Sequence, residues 1–352
     1  MTRTIPLLYQ RRLYLVLVGL VALLYAAVWL RGLDKPPRHA SEAVSTSPAT
    51  TPSVSFDMDS AKLVEALKRK PGVARLLNLW TLIVVLLLGS GMALSVQVVR
   101  RRRWPPVAAS SHVPLRGGWS LSDVGRLLLL VVLVASLLPF VHMGLMVWIP
   151  SWWSQTHLWS VVSMFLLEGW LVLLVWGFVS AKARALTSTL GLSKRHSLRA
   201  IEQAMVAYIT VFPWLMGLLW LIMGACERFG IQPPLEPIHE LLFLERSPLV
   251  LGLTLTLACV VGPFVEELFF RGVLFTALRK RTSRVLALAI SGGAFAAAHT
   301  NMVGFLPILL LGCLLADCYE RTGSLWASVV VHSFHNSLLI GVALTLKALL
   351  QP

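Results

Sequence analysis

Charge is what this chain has least of. Only 13% of its 352 residues are Asp, Glu, Lys or Arg, and the acids are the scarcer half, 16 against 31 basic residues. A soluble domain carries roughly a quarter charged residues, so an ordinary soluble globular protein is excluded. Cysteine is scarce too. Cys226, Cys259, Cys313 and Cys318 lie in or beside apolar runs, and no CxxC pair occurs. That argues against a disulfide framework or a thiolate zinc site and leaves the four as packing residues. No face interleaves aromatic and basic side chains and no nucleic-acid motif is present, so the net charge of +15 is not read as a nucleic-acid footprint. HExxH is absent, which leaves a zincin-type protease unsupported. GxSxG is absent, which argues against a nucleophile elbow. No glycine-rich loop is built to cradle a phosphate.

What remains is apolar. Hydrophobic residues make up 57% of the chain. Runs able to cross a bilayer, or nearly so, fall at about 13–31, 76–99, 127–149, 157–180, 203–225, 248–269, 285–301, 303–319 and 325–347. The bilayer core offers no partner to an open backbone, so every run is expected to be a helix. The fold class is therefore all-α, a polytopic transmembrane bundle of about nine spans. The seventh and eighth runs are short, and one is expected to be tilted, broken or re-entrant. The 13 tryptophans suit the headgroup zones.

Basic residues cluster between the runs. With the N-terminus inside, 20 of the 31 fall on the cytoplasmic side, led by Arg100–Arg103, "AKAR" at 181–184 and "LRKRTSR" at 278–284. A cytoplasmic N-terminus in a bacterial inner membrane is the expectation. Arg3, Arg11 and Arg12 ahead of the first run fit a retained signal anchor. The segment 32–75 opposes the charge bias with eight basic residues. It contains "SEAVSTSPATTPSVS", which is expected to be unstructured, and then "DMDSAKLVEALKRK", whose apolar spacing predicts a short surface helix. Few intramembrane polar residues occur in the first half. Residues 1–200 are accordingly read as an accessory membrane region and 201–352 as the region holding the chemistry.

The polar residues inside the later runs make that case. "VVGPFVEELFFRGV" sets Glu266 and Glu267 in apolar surroundings, with Arg271 four positions after the second. Adjacent helical residues diverge by about 100°, so the two carboxylates cannot share a face. Glu267 and Arg271 are spaced to pair, acid first. Glu266 is left without a partner in the motif and is the better placed general base. The competing reading puts both glutamates in water, since the run ends about three residues beyond Glu266. "AFAAAHT" places Phe295 and His299 one turn apart, and "VVVHSFHNSLL" does the same for His332 and Asn336, with His335 between. Ionisable groups in spans tend to face the bundle interior and to mark function. Glu168, His142 and Asp317 are weaker candidates, expected to pair structurally.

Taken in order, Glu266-Glu267-x-x-x-Arg271, Phe295-x-x-x-His299 and His332-x-x-x-Asn336, with the lead-in "GSLWASVVVH", resemble the CPBP family of CAAX proteases and bacteriocin-processing enzymes, also called Abi. The resemblance covers about residues 250–340. It implies an intramembrane peptidase in which Glu266 activates a water and His299 helps to activate or orient it. His332 and Asn336 would stabilise the oxyanion, and Glu267, Arg271 and Phe295 would support the site. The implied partners are a peptide or membrane-protein substrate and the lipid bilayer. Asparagine is a poor zinc ligand and no tight ligand spacing occurs, so zinc is disfavoured and no cofactor is expected. The alternatives are a non-catalytic immunity or scaffold protein of the same fold, whose phenotype would survive loss of Glu266 and His299, and a transporter. The lack of an internal repeat weakens the transporter.

Overall fold

The computed structural model describes residues 13–20, 22–23, 60–102, 104, 118–145, 157–182, 189–192, 197–231, 242, 245, 247–299 and 303–350. Among them every regular element is helical. The elements are α1 (Ser60–Arg69), α2 (Pro71–Arg101), α3 (Leu121–Leu145), α4 (Leu158–Ala181), α5 (Ser197–Arg228), α6 (Pro248–Arg279), α7 (Arg284–Ala298), α8 (Phe305–Thr322) and α9 (Leu325–Leu350). Six of these, α2 to α6 and α9, are long and apolar enough to cross a membrane. The protein is an integral membrane protein with a helical fold.

The described residues hold six such helices against the nine spans expected. About half of the run at 13–31 and all of the Ser/Thr/Pro-rich stretch lie outside them. The seventh and eighth runs fold as α7, 15 residues, and α8, 18 residues. At 1.5 Å per residue α7 rises only about 22 Å, short of a bilayer core of about 30 Å. The last two turns of α8 carry Asp317, Glu320 and Arg321. A second expectation is corrected at α6. The helix does not stop just past Glu266 but runs on to Arg279, because the charge of Arg271 is satisfied internally. The expected surface helix is found as α1, where Arg69 pairs with Glu65 at 2.5 Å.

The described chain forms two compact units, Met1–Leu77 with Thr345–Pro352, and Asn78–Leu344. In the first, Lys70 Nζ donates to the Ala348 carbonyl at 2.9 Å. The second holds the core. Tyr208, Phe212 and Leu215 of α5 pack with Leu311, Leu314 and Leu315 of α8 and with Ala327, Val331 and Leu338 of α9. Small residues permit close helix approach. A Cβ on Gly91 of α2 would overlap the Ile209 carbonyl and the Pro213 ring of α5. Ser95 seals that contact by donating to the Thr210 carbonyl at 2.9 Å. Outward faces remain apolar: Trp220 is 74% exposed and Val285 likewise 74%. Such faces suit lipid, not water.

Helix ends follow the local chemistry. Ser247 and Ser283 accept backbone N–H groups at the starts of α6 and α7, and Pro248 occupies the first helical position. Gly323, at φ 62°, closes α8 in the left-handed conformation. The loops expected on one side of the membrane meet at one end of the second unit. Arg279 and Arg284 both bind Glu320, Arg284 and Arg321 both bind Asp317, and Trp104 Nε1 donates to Asp317. Lys182 binds Asp123 at 2.6 Å, and Lys280 donates to the Trp119 carbonyl. Asp317 thus pairs structurally, as expected.

The α7–α8 contact sets the position of His299, the residue that caps α7. A Cβ on Gly292 would meet Cys313 Sγ at 2.7 Å and the Leu309 carbonyl at 3.0 Å, and one on Gly312 would meet Gly292 Cα at 2.9 Å. Gly292→Val is therefore expected to destabilise the folded protein by about 1–3 kcal/mol through overpacking. Unfolding in detergent measures it, and stability equal to the wild type would contradict this packing.

Candidate active site

Glu266 and Glu267 lie in a helix that changes its hydrogen-bonding frame on either side of them. Two π-helical stretches, Leu257–Val261 and Leu268–Phe275, flank the α-helical turn Gly262–Glu267. The first has a local cause. Gly262 N–H donates to the Leu257 carbonyl, five residues back, and a Cβ on Gly262 would sit 2.8 Å from that oxygen. Pro263 follows and has no N–H to restore the α frame. Glu266 Oε1 lies 3.7 Å from where that Cβ would be, an ordinary contact distance. π-Turns within helices recur at functional sites. The pairing argument from sequence did not reach this feature, although "GP" just ahead of "FVEE" was its signal.

Glu267 is fully buried. Its Oε1 accepts from Arg271 Nη1 at 2.6 Å and lies 3.0 Å from His332 Nδ1. Arg271, also fully buried, donates from Nη2 to the Gly312 carbonyl at 3.0 Å. Its guanidinium stands 4.4 Å from the centre of the Phe295 ring. Phe295 is central: its ring centre is 4.6 Å from that of His299 and 5.4 Å from that of His332. The predicted pairing of Glu267 with Arg271 is present, and Phe295 touches the supporting cation and both imidazoles.

Glu266 faces the other way. Its side chain is 30% exposed, and its Oε2, itself buried, has no hydrogen-bond partner. That oxygen lies 3.9 Å from His299 Nε2 and 3.8 Å from His332 Nε2. The imidazole tautomers follow from the partners on the far ring nitrogens. His299 Nδ1 is 2.8 Å from the Phe295 carbonyl, an acceptor only, so Nδ1 carries the hydrogen and the neutral ring presents a lone pair at Nε2. His332 Nδ1 meets a carboxylate and carries a hydrogen for the same reason. A carboxylate oxygen and a ring lone pair just beyond direct hydrogen-bond reach can accept both hydrogens of one water. Among the described residues, no three His, Cys, Asp or Glu side chains are arranged as metal ligands.

Two other sequence candidates are placed differently. Asn336 Nδ2 donates to the Ala258 carbonyl at 2.9 Å, two turns before Glu266 on α6. His335 turns away from the glutamates, and its Nδ1 lies 3.0 Å from the Tyr208 hydroxyl in the core. His142 stacks on Trp159 with ring centres 4.9 Å apart. Glu168, expected to pair structurally, has no ion pair among the described residues. It lies on α4, which packs along α6, and interacts electrostatically with Glu266.

The buried pair carries a sharp consequence. Removing one partner strands a charge in an apolar site, which costs about 3–5 kcal/mol, whereas replacing both by apolar groups is often neutral. Arg271→Leu is expected to lower stability in detergent by that amount, and Glu267→Leu with Arg271→Leu by clearly less. A double variant as unstable as the sum of the two singles would contradict the pairing.

Comparison with known proteins covers this same region. Residues 248–338 match the model of the Rce1-like family, described as type II CAAX prenyl endopeptidase Rce1-like. The chain is 30% identical over 122 residues to "Putative membrane peptidase YdiL" of Bacillus subtilis (strain 168), covering 34% of this chain and 48% of that protein. It is 28% identical over 127 residues to an "Uncharacterized 24.3 kDa protein" of Escherichia coli, covering 34% and 58%. The chain thus spans about half the length of the curated relatives it matches. No solved structure matches it. The glutamate pair with its arginine and both histidine motifs all fall within the matched residues, so the segment 248–338 is similar to the Rce1-like family and to a relative named as a membrane peptidase, in line with the resemblance to the CPBP family.

Proposed function

We propose that this protein is an intramembrane endopeptidase that hydrolyses a peptide or membrane-protein substrate with a glutamate-activated water. The observation that carries the reading is the unpartnered Glu266 Oε2, set 3.8 and 3.9 Å from two imidazole nitrogens. Amide hydrolysis needs a base for the water proton and donors for the developing oxyanion. Glu266 takes one proton as the water oxygen attacks the carbonyl carbon. His299, its Nε2 lone pair turned to the same place, accepts the second hydrogen and fixes the direction of attack. The proton held by Glu266 then passes to the leaving nitrogen as the C–N bond breaks.

His332 is the candidate oxyanion donor. Its Nδ1 hydrogen is engaged by Glu267, so donation from Nε2 requires the imidazolium form. Glu267 holds the imidazole through Nδ1, and Arg271 keeps the carboxylate itself in place. The reading is metal-independent. The family description and the name of the Bacillus relative both support a peptidase. They motivate two substrate classes, a prenylated CAAX tail and an unmodified membrane peptide.

Glu266→Gln keeps the shape and removes the base. Cleavage is expected to fall by at least about 10²–10⁴-fold, with membrane insertion unchanged. The check compares peptides accumulating in cells that express wild type or variant, followed by cleavage of a farnesylated CAAX-tailed peptide and of the accumulated peptides by purified protein. Wild-type cleavage rates in the variant would remove Glu266 as the base. Activity that follows zinc content through removal and restoration would contradict the metal-independent reading.

A further inference from the structure

The frame change ahead of Glu266 leaves one backbone acceptor without a helical donor. In an α-helix the Ala258 carbonyl would accept from residue 262, and in a π-helix from residue 263. Gly262 N–H is given to Leu257 instead, and residue 263 is a proline with no N–H to give. A carbonyl buried within a membrane bundle and lacking a donor is costly. The donor comes from another helix. Asn336 Nδ2, on α9, reaches the Ala258 oxygen at 2.9 Å. An acceptor-only carbonyl requires the nitrogen of the amide, not its oxygen, to face it.

We propose that Asn336 is a positioning residue that supplies the N–H absent at Pro263, and that by doing so it fixes the π turn and the register of Glu266. This rests on the reading of Glu266 as the base. One turn earlier on the same helix, His332 contacts Glu267. Helix α9 therefore grips α6 at two points, one on each side of Glu266: His332 at the residue that follows it, and Asn336 at the frame change before it. Gly262 belongs to the same device, because its N–H closes the π turn and its lack of a side chain lets the Leu257 carbonyl approach. The family expectation for Asn336, a hydrogen bond to the oxyanion, gives its amide a different partner.

The two roles separate in a double-variant cycle. Pro263→Ala creates an N–H five residues after Ala258, placed to bond that carbonyl in the π frame. Asn336→Ala alone is expected to lower the Tm in detergent by several degrees, roughly the effect of a kilocalorie or so in a helical domain. It is also expected to lower kcat for the farnesylated CAAX-tailed peptide about tenfold or more with KM little changed. Adding Pro263→Ala should recover most of both losses. Asn336→Asp, which sets a second acceptor against the carbonyl, should lower the Tm further than Asn336→Ala.

Recovery of Tm and kcat together supports the positioning role. Recovery of Tm with kcat still low overturns it and returns Asn336 to the substrate. An absence of coupling in Tm, or equal Tm values for the alanine and aspartate variants, overturns the contact itself. If the wild type cleaves no peptide tested, the proposed activity fails while the Tm cycle still decides the contact.

Discussion

The ion pair between Glu267 and Arg271 is the constraint on which the rest of the site depends. Two opposite charges with no solvent exposure survive in an apolar bundle at least cost when each is held at short range and their remaining polar atoms are met. The Gly312 carbonyl, the Phe295 ring and His332, from α8, α7 and α9, meet part of that need, while Glu267 Oε2 and Arg271 Nε have no hydrogen-bond partner among the described residues. Satisfying one pair on α6 therefore draws in three other helices. The same contacts orient His332, and Phe295 carries His299 one turn further along α7. What looks like support is also the assembly rule for the site.

Close packing makes that rule effective. Gly312 serves twice: its carbonyl accepts from Arg271, and its missing side chain lets Gly292 of α7 approach. A side chain at either glycine would separate α7 from α8 and move His299 relative to Glu266. The apolar outer faces add stability by contact with lipid but do not select this arrangement. Selection comes from the few polar groups inside, each of which has a narrow choice of partner.

Much of this was legible in the sequence, because i to i+4 spacing is a strong geometric statement. It paired Glu267 with Arg271, left Glu266 free, and aligned Phe295 with His299. Spacing singled out His332 with Asn336 and left His335 without a role, and the structure gives His335 the Tyr208 hydroxyl as its partner. Spacing also assumes a uniform helix. The frame change at Gly262 and Pro263 breaks that assumption and moves the partner of Asn336 to Ala258. Hydropathy found the long spans and marked the runs at α7 and α8 as short, and there apolar composition reflects burial inside the bundle as much as contact with lipid. The apolar run ends at about residue 269 because hydropathy counts Arg271 as a charge even when spacing pairs it with Glu267.

The most direct measurement is an experimental structure of the protein bound to a peptidyl aldehyde, whose hydrate mimics the tetrahedral species of amide hydrolysis. The account predicts one hydrate oxygen in contact with Glu266 Oε2 and His299 Nε2, and the other facing His332 Nε2. A hydrate bound away from Glu266, or a Glu266 carboxylate turned toward lipid with the two imidazoles dispersed, would contradict it.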